Sequence, residues 1–196
     1  MLKFLTSFSF ACAGLSYALC RETNFRVQWL CATVVFLLIS ILSFSYFEQI
    51  IVLILSASVL SLELLNSALE QLANDHGTEN SLSKKHGKDL AASSVLLFSL
   101  CALLVFFLIT ANYLQDLLIK IITVPTAFIC LIILIGLNFF MCIKNPGLLL
   151  SIFLVSISTI LHAVLAIQTE ITGMFGVLAL VFHGLLSASN LWRAYS

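Results

Sequence analysis

Four polar residues, Glu63, Asn66, Glu70 and Asn74, follow one another at spacings of three, four and four inside a stretch that is otherwise apolar. On a helix turning about 100° per residue they fall within roughly 80° of one another, so two carboxylates and two amides share one face. Solvation at an emerging helix end accounts for the outer two. Glu63 lies about two turns deeper, where a lipid-facing carboxylate would cost about 2.5 kcal/mol or more, and the run from Ile50 to Leu72 holds no Lys, Arg or His to pair with it. Lys88 and Asp89 open the next apolar run, and Glu22 approaches within the segment CRETNFRVQ, residues 20–28. Glu22, Glu63, Glu70 and Asp89 are hard oxygen ligands, and Lys88 is a positive point charge. That set suits Mg²⁺ and a polyphosphate: the cation bridges phosphate oxygens, and the ammonium offsets charge that develops during transfer. The chain has no GxxxxGK[ST] loop, so helices and not a P-loop have to hold any nucleotide.

The elements that must position these groups are membrane helices. The chain has 196 residues, 61% of them hydrophobic and only 9% charged, with a mean hydropathy of +1.14. A soluble domain is nearer half apolar and a quarter charged, so the fold class is an all-α integral membrane protein. Zero formal net charge excludes broad electrostatic attraction to nucleic acid. A hydrocarbon core of about 30 Å needs roughly 20 apolar residues per helix. Six runs meet that length: Val27–Phe47, Ile50–Leu72, Leu90–Tyr113, Ile121–Ile143, Leu148–Ile167 and Ile171–Leu191. Before them, residues 1–26 carry Lys3, Arg21, Glu22 and Arg26 and read as an amphipathic helix at the interface. A cleaved signal is disfavoured because Leu19 precedes Cys20 where a small residue is needed.

Orientation follows from the bases, which mark the cytoplasmic side. With the N-terminus inside, Lys3, Arg21, Arg26, Lys84, Lys85, Lys88, Lys144 and Arg193 fall on the cytoplasmic face and Lys120 alone lies outside. Both termini are then cytoplasmic, and Glu48, Asp116 and Glu170 occupy the outer turns. The six cysteines form no CxxC pair and read as packed thiols, not as a disulfide framework or a metal site.

Three blocks occur in a fixed order. SFSFACAGLSYALCRETNFRVQ (7–28) holds an aromatic-Ala pair, Gly-Leu, Ala and Glu-x-Asn-x-Arg; ELLNSALE (63–70) has the pattern ELxNxxxE; KDLAASSVLL (88–97) begins Lys-Asp-x-Ala-Ala. Together they resemble the prokaryotic diacylglycerol kinase and undecaprenol kinase family of small integral membrane kinases, over residues 1–112. The resemblance implies ATP- and Mg²⁺-dependent phosphorylation of a lipid hydroxyl at the cytoplasmic face of a bacterial inner membrane. The substrate would be diacylglycerol, giving phosphatidic acid, or undecaprenol, giving undecaprenyl phosphate. It also implies a homotrimer whose sites are shared between neighbouring subunits. By the same resemblance Glu63 would be the general base, Glu22 and Glu70 would hold Mg²⁺ with the nucleotide, and Asn66 would orient the phosphate or the carboxylates. Lys88 would contact the phosphates, and Asp89 would complete the site.

The chain departs from the family pattern in three places. Asn74 stands where an aspartate is usual, and the neighbouring Asp75 points about 100° away on an ideal helix. Gln28 stands where undecaprenol-type relatives often have His. Both changes bear on nucleotide affinity more than on the type of reaction. Residues 113–196 add three apolar runs with no family resemblance, expected to pack outside the kinase helices or to reshape the lipid entry path. Their polar residues His162, Glu170, His183, Ser187, Ser189 and Asn190 are expected to hydrogen-bond between helices, with Trp192 and Arg193 as an interfacial anchor. Two other classes stay open: an ion-coupled carrier built on Glu63, and a non-catalytic scaffold suggested by Asn74. A carrier would often show an internal repeat, and ELLNSALE has no second copy in the C-terminal half.

Overall fold

The computed structural model describes residues 2–42, 44–75, 82–144, 148–168 and 174–195, which form helices joined by short breaks. Glu170 and the side chains of Lys3, Asp75 and His162 lie outside the described residues. The helices are α1 (Leu2–Arg21), α2 (Thr23–Ile41), α3 (Tyr46–Asp75), α4 (Leu82–Ala111), α5 (Leu114–Thr123), α6 (Pro125–Ile143), α7 (Leu148–Gln168) and α8 (Met174–Tyr195). Among the described residues three helices are long and apolar enough to cross a membrane: Thr23–Ile41, Tyr46–Asn74 and Leu82–Ala111. The bent pair α5–α6 would make a fourth, and the apolar part of α7 that qualifies, Leu149–Leu161, is shorter.

The helix bounds depart from the apolar runs, α4 for example starting at Leu82 and not Leu90, and two of the departures have a clear local cause. The first run extends to Phe47, yet α2 stops at Ile41. A capping box ends the ambiguity: the Ser45 backbone N–H and hydroxyl both donate to Glu48 Oε2, at 2.8 and 2.7 Å, and the Glu48 N–H donates back to Ser45 Oγ at 3.4 Å. This S-x-x-E pattern starts α3 at Tyr46 by satisfying N–H groups that the first helical turn leaves orphaned. The Tyr113 hydroxyl donates to the same Glu48 oxygen at 2.6 Å, tying the start of α3 to the turn after α4. Ser45→Ala is expected to lower stability by about 1 kcal/mol, read as a lower thermal midpoint in detergent. An unchanged midpoint would show that the box adds nothing.

The second difference is at Pro125. The run Ile121–Ile143 is broken into α5 and α6, which meet at a bend of 98°. Proline has no N–H for the carbonyl four residues back, its ring crowds that carbonyl, and the residue before it is driven out of the helical region. Val124 accordingly sits at φ −131°, and Pro125 occupies the first turn of the new helix, where its missing N–H costs nothing.

At 30 residues each, α3 and α4 are about 45 Å long, longer than a bilayer core of about 30 Å. They pair along their length, and α2 lies against both α3 and α8. The core forms chiefly along α2, where Phe25, Phe36 and Leu37 are buried. The Trp29 ring stacks on Phe182 at 4.0 Å, and its indole N–H donates to the Phe182 carbonyl at 2.9 Å. The C-terminal helices therefore pack directly on the helix that follows Glu22, while α4 stays largely exposed.

Between α6, α7 and α8 runs a buried polar seam. Asn138 Nδ2 donates to Ser158 Oγ at 2.8 Å, and Ser158 and Ser187 lie 3.4 and 3.5 Å from His183 Nε2. His183 thus makes the interhelical contact expected of it, with Ser158 on α7, whereas Ser187 meets His183 within α8 and Ser189 donates to the Leu186 carbonyl of the same helix at 2.8 Å. Trp192 is exposed, but Arg193 is not a free interfacial anchor: it donates to the Met141 and Cys142 carbonyls at 3.1 and 3.4 Å.

Candidate functional site

The second half of α3, LELLNSALEQLAN, is rich in strong helix formers, so the periodic placement of its polar residues survives in the fold. Glu63 and Asn66 are 3% and 6% exposed, and Ser67 is buried beside them on the side of α3 that meets its neighbours. Glu70 is half-buried, and Asn74 is exposed near the helix end. The stripe thus climbs from a buried carboxylate to a solvated amide over about 16 Å of helix.

Each member meets a group from another element or from the stripe itself. Deepest, Gln28 Nε2 on α2 donates to Glu63 Oε2 at 2.9 Å. Higher on the stripe, Asn66 Nδ2 donates to Glu70 Oε1 at 3.0 Å. Glu22 occupies the break between α1 and α2 in an extended conformation, φ −94° and ψ 110°, which turns its side chain out of both helices. Its Oε1 accepts from Gln71 Nε2 at 3.0 Å. At the rim, the Lys88 ammonium donates to Asn74 Oδ1. Glu70 and Glu22 are close enough to act electrostatically on Glu63.

The fold therefore brings Glu22, Glu63, Asn66, Glu70 and Lys88 to one side of α3, between the α1–α2 break and the start of α4. Asp89 is exposed one position further round α4, and among the described residues its carboxylate meets no partner that draws it into this group. Two participants, Gln28 and Gln71, are not evident from the sequence. Gln28 registers there only as a departure from the family pattern, yet it is the hydrogen-bond partner of Glu63. Gln71 holds Glu22, and Asn74 retains a hydrogen bond to Lys88 despite lacking a charge. The one sequence signal for Gln28 is its place in the motif block that also holds Glu22.

The donor set fits Mg²⁺ with a polyphosphate. Among the described residues no three His, Cys, Asp or Glu side chains gather into a metal cluster by themselves. Mg²⁺ bound with a nucleotide takes one or two carboxylates and completes its shell with phosphate oxygens and water. Asn66 Oδ1 and Gln28 Oε1 are buried acceptors without a hydrogen-bond partner among the described residues, flanking the carboxylates. Such orphaned groups cost about 1–3 kcal/mol each, and a ligand that donates a hydrogen bond or brings a cation relieves them.

An apolar groove of about 270 Å³ opens between α2, α3 and α4, lined among others by Gln28, Val35, Val52, Leu60, Ser99 and Phe106. It runs about 10 Å along α2 from Gln28 to Val35. Gln28 thus lines the groove and also bonds Glu63, so an apolar chain lying in the groove would end next to a buried carboxylate. Gln28→Leu removes the one hydrogen bond found on the Glu63 carboxylate among the described residues while keeping the packing volume. A roughly tenfold fall in turnover is expected, the scale of one hydrogen bond to a charged group, measured as kcat at saturating substrates.

Residues 9–110 match the family described as prokaryotic diacylglycerol kinase. A diacylglycerol kinase from Synechocystis sp. (strain ATCC 27184 / PCC 6803 / Kazusa) is 35% identical over 102 residues, which is 52% of this chain and 58% of the relative. The chain therefore spans less than two thirds of the length of that relative. No solved structure matches the chain. The matched segment closes at the end of α4 and leaves α5 to α8 outside it.

Proposed function

Because this chain belongs to the prokaryotic diacylglycerol kinase family, we propose that it is a membrane lipid kinase, transferring the terminal phosphoryl group of ATP to the hydroxyl of diacylglycerol or undecaprenol. The observation that carries this reading is the buried Glu63 carboxylate, held by Gln28 between an apolar groove and a stack of carboxylate, amide and ammonium groups. A lipid alcohol is a weak nucleophile until a positioned base accepts its proton. With its chain in the groove the alcohol would present its hydroxyl to Glu63, so the depth of that carboxylate matches the place where a lipid hydroxyl resides.

Bound Mg²⁺-ATP supplies the phosphoryl group and the charge neutralisation that transfer requires. Glu22 and Glu70 would hold the cation from opposite sides of the junction between α1–α2 and α3. Asn66, with its free Oδ1, would orient the phosphate or the carboxylates. Lys88 would leave Asn74 for a phosphate oxygen, and Asp89 would swing in from the rim. The phosphorylated product would leave by the groove. We place this site at the cytoplasmic face of a bacterial inner membrane, in a six-span chain with both termini inside. We propose a homotrimer, with residues 1–112 as the kinase unit and residues 113–196 as a three-span addition.

The test uses purified full-length protein, radiolabelled ATP, Mg²⁺ and either diacylglycerol or a polyprenol in detergent. Label should enter one of the lipids in wild type and in neither lipid with Glu63→Gln or Glu70→Ala. Label in neither lipid with wild type would overturn the kinase reading in favour of a carrier or scaffold.

A further inference from the structure

Arg26 is 1% exposed, in a helix long and apolar enough to cross a membrane. Among the described residues no carboxylate lies within ion-pair distance of it. Its guanidinium instead bonds main-chain oxygens at the ends of two helices. From α1 it meets the Cys20 carbonyl at 3.1 Å and the Leu19 carbonyl at 3.5 Å. From α6 it meets the Cys142 carbonyl twice, at 3.1 Å through Nη2 and 3.3 Å through Nε. Thr23 Oγ1 accepts the remaining bond at 2.8 Å. Both α1 and α6 end at these carbonyls, and a helix end concentrates partial negative charge that favours a cation. Arg193, from α8, donates to the Met141 and Cys142 carbonyls of the same α6 end. Four residues beyond Cys142 stands Pro146, which has no N–H to offer that carbonyl in its place.

We infer that the C-terminal helices act as an intramolecular support for the kinase half: the α6 end, steadied by Arg193, holds Arg26, and Arg26 fixes the α1–α2 break that presents Glu22. The break is one residue long, with α1 ending at Arg21 and α2 starting at Thr23, so any rotation of α1 on α2 moves the Glu22 carboxylate. Arg26 pins both sides of that break at once, since it sits on α2 and bonds the last turn of α1. The Cys142 carbonyl adds to the α1 carbonyls a second helix end, from outside the matched segment, with two further bonds to the guanidinium. Arg26 and Arg193 are therefore positioning residues, and neither contacts the reacting atoms.

This inference rests on the kinase reading for its kinetic arm but has a second, independent readout. In full-length protein, Arg26→Ala should raise KM for Mg²⁺-ATP at least tenfold and leave KM for the lipid within twofold, because Glu22 and not the groove is displaced. Arg26→Lys should recover only part of the loss, and millimolar guanidinium should restore much of it in Arg26→Ala. Arg193→Ala should raise KM for Mg²⁺-ATP about threefold, in the same direction and again without the lipid KM. In a background where Cys142 is the sole cysteine, both alanine variants should label faster with a membrane-permeant thiol reagent, since that thiol is fully buried beside Arg26. Should Arg26→Ala not fold, Arg26→Lys and Arg193→Ala decide between support and no support. A folded Arg193→Ala with wild-type nucleotide KM and wild-type labelling overturns the inference, as does an equal rise in both KM values. Faster labelling in a protein that phosphorylates neither lipid would keep the support and discard the kinase reading.

Discussion

Glu63→Gln is expected to lower turnover by about 10²- to 10⁴-fold, the range that general base catalysis contributes, with KM for Mg²⁺-ATP near its wild-type value. Glutamine keeps the shape of the side chain and can still hydrogen-bond Gln28, so packing around α2 and α3 survives. What it cannot do is accept the proton of the alcohol as attack proceeds. The buried position of Glu63 also makes the substitution gentle on the fold, because it replaces a carboxylate in an apolar setting by a neutral group. Thermal stability should therefore be equal or higher, and a loss of activity cannot be attributed to unfolding. A Glu63→Gln enzyme with turnover within threefold of wild type would remove this residue from the chemistry and leave it as a buried partner of Gln28.

Glu70→Gln acts on the other substrate. It removes one of two carboxylates proposed to hold the cation, and even the outer partners of a metal ligand are worth about 10- to 100-fold in affinity. We expect KM for Mg²⁺-ATP to rise by about 10²-fold or more, with the lipid KM unchanged and partial recovery at high Mg²⁺. Asn66 would lose its ionised acceptor at the same time, since its Nδ2 donates to Glu70 Oε1 at 3.0 Å. The Asn66 and Glu70 substitutions should for that reason be non-additive in a double-mutant cycle, as expected of residues in one hydrogen-bonded pair. Equal effects on both substrates, or a nucleotide KM that is insensitive to Glu70, would contradict the division of labour between the deep and the outer carboxylate.

How far the site is legible in the sequence differs residue by residue. The α3 stripe can be read because four polar residues at helical spacing stand out against an apolar helix, and each remains on the face that periodicity gives it. The break at Glu22 is not legible, since nothing in RETN requires α1 to stop there. It is fixed by tertiary bonds that Arg26 makes to helix ends. Ser45–Glu48 is a capping signal, but apolar residues on both sides mask it and move the expected start of the helix to Ile50. Pro125 likewise breaks an apolar run that a length criterion alone reads as continuous. The tie between the two halves leaves no trace at all. Its acceptor is a main-chain carbonyl 116 residues away from Arg26, and a carbonyl is present whatever the side chain. Arg193 looks interfacial for the same reason: its type and its place near the chain end are visible in the sequence, and its partners on α6 are not.

The central claim is that Glu22 and Glu70, from separate elements, hold a divalent cation with the nucleotide while Glu63 does a different job beneath them. Electron paramagnetic resonance of Mn²⁺ with ATP and the full-length protein tests it most directly, because a bound ion changes its spectrum regardless of turnover. Wild type and Glu63→Gln should bind the Mn²⁺-nucleotide alike, and Glu22→Gln and Glu70→Gln should each lose most of the bound signal. Undiminished binding in both of those variants, or a loss confined to Glu63→Gln, would contradict the assignment.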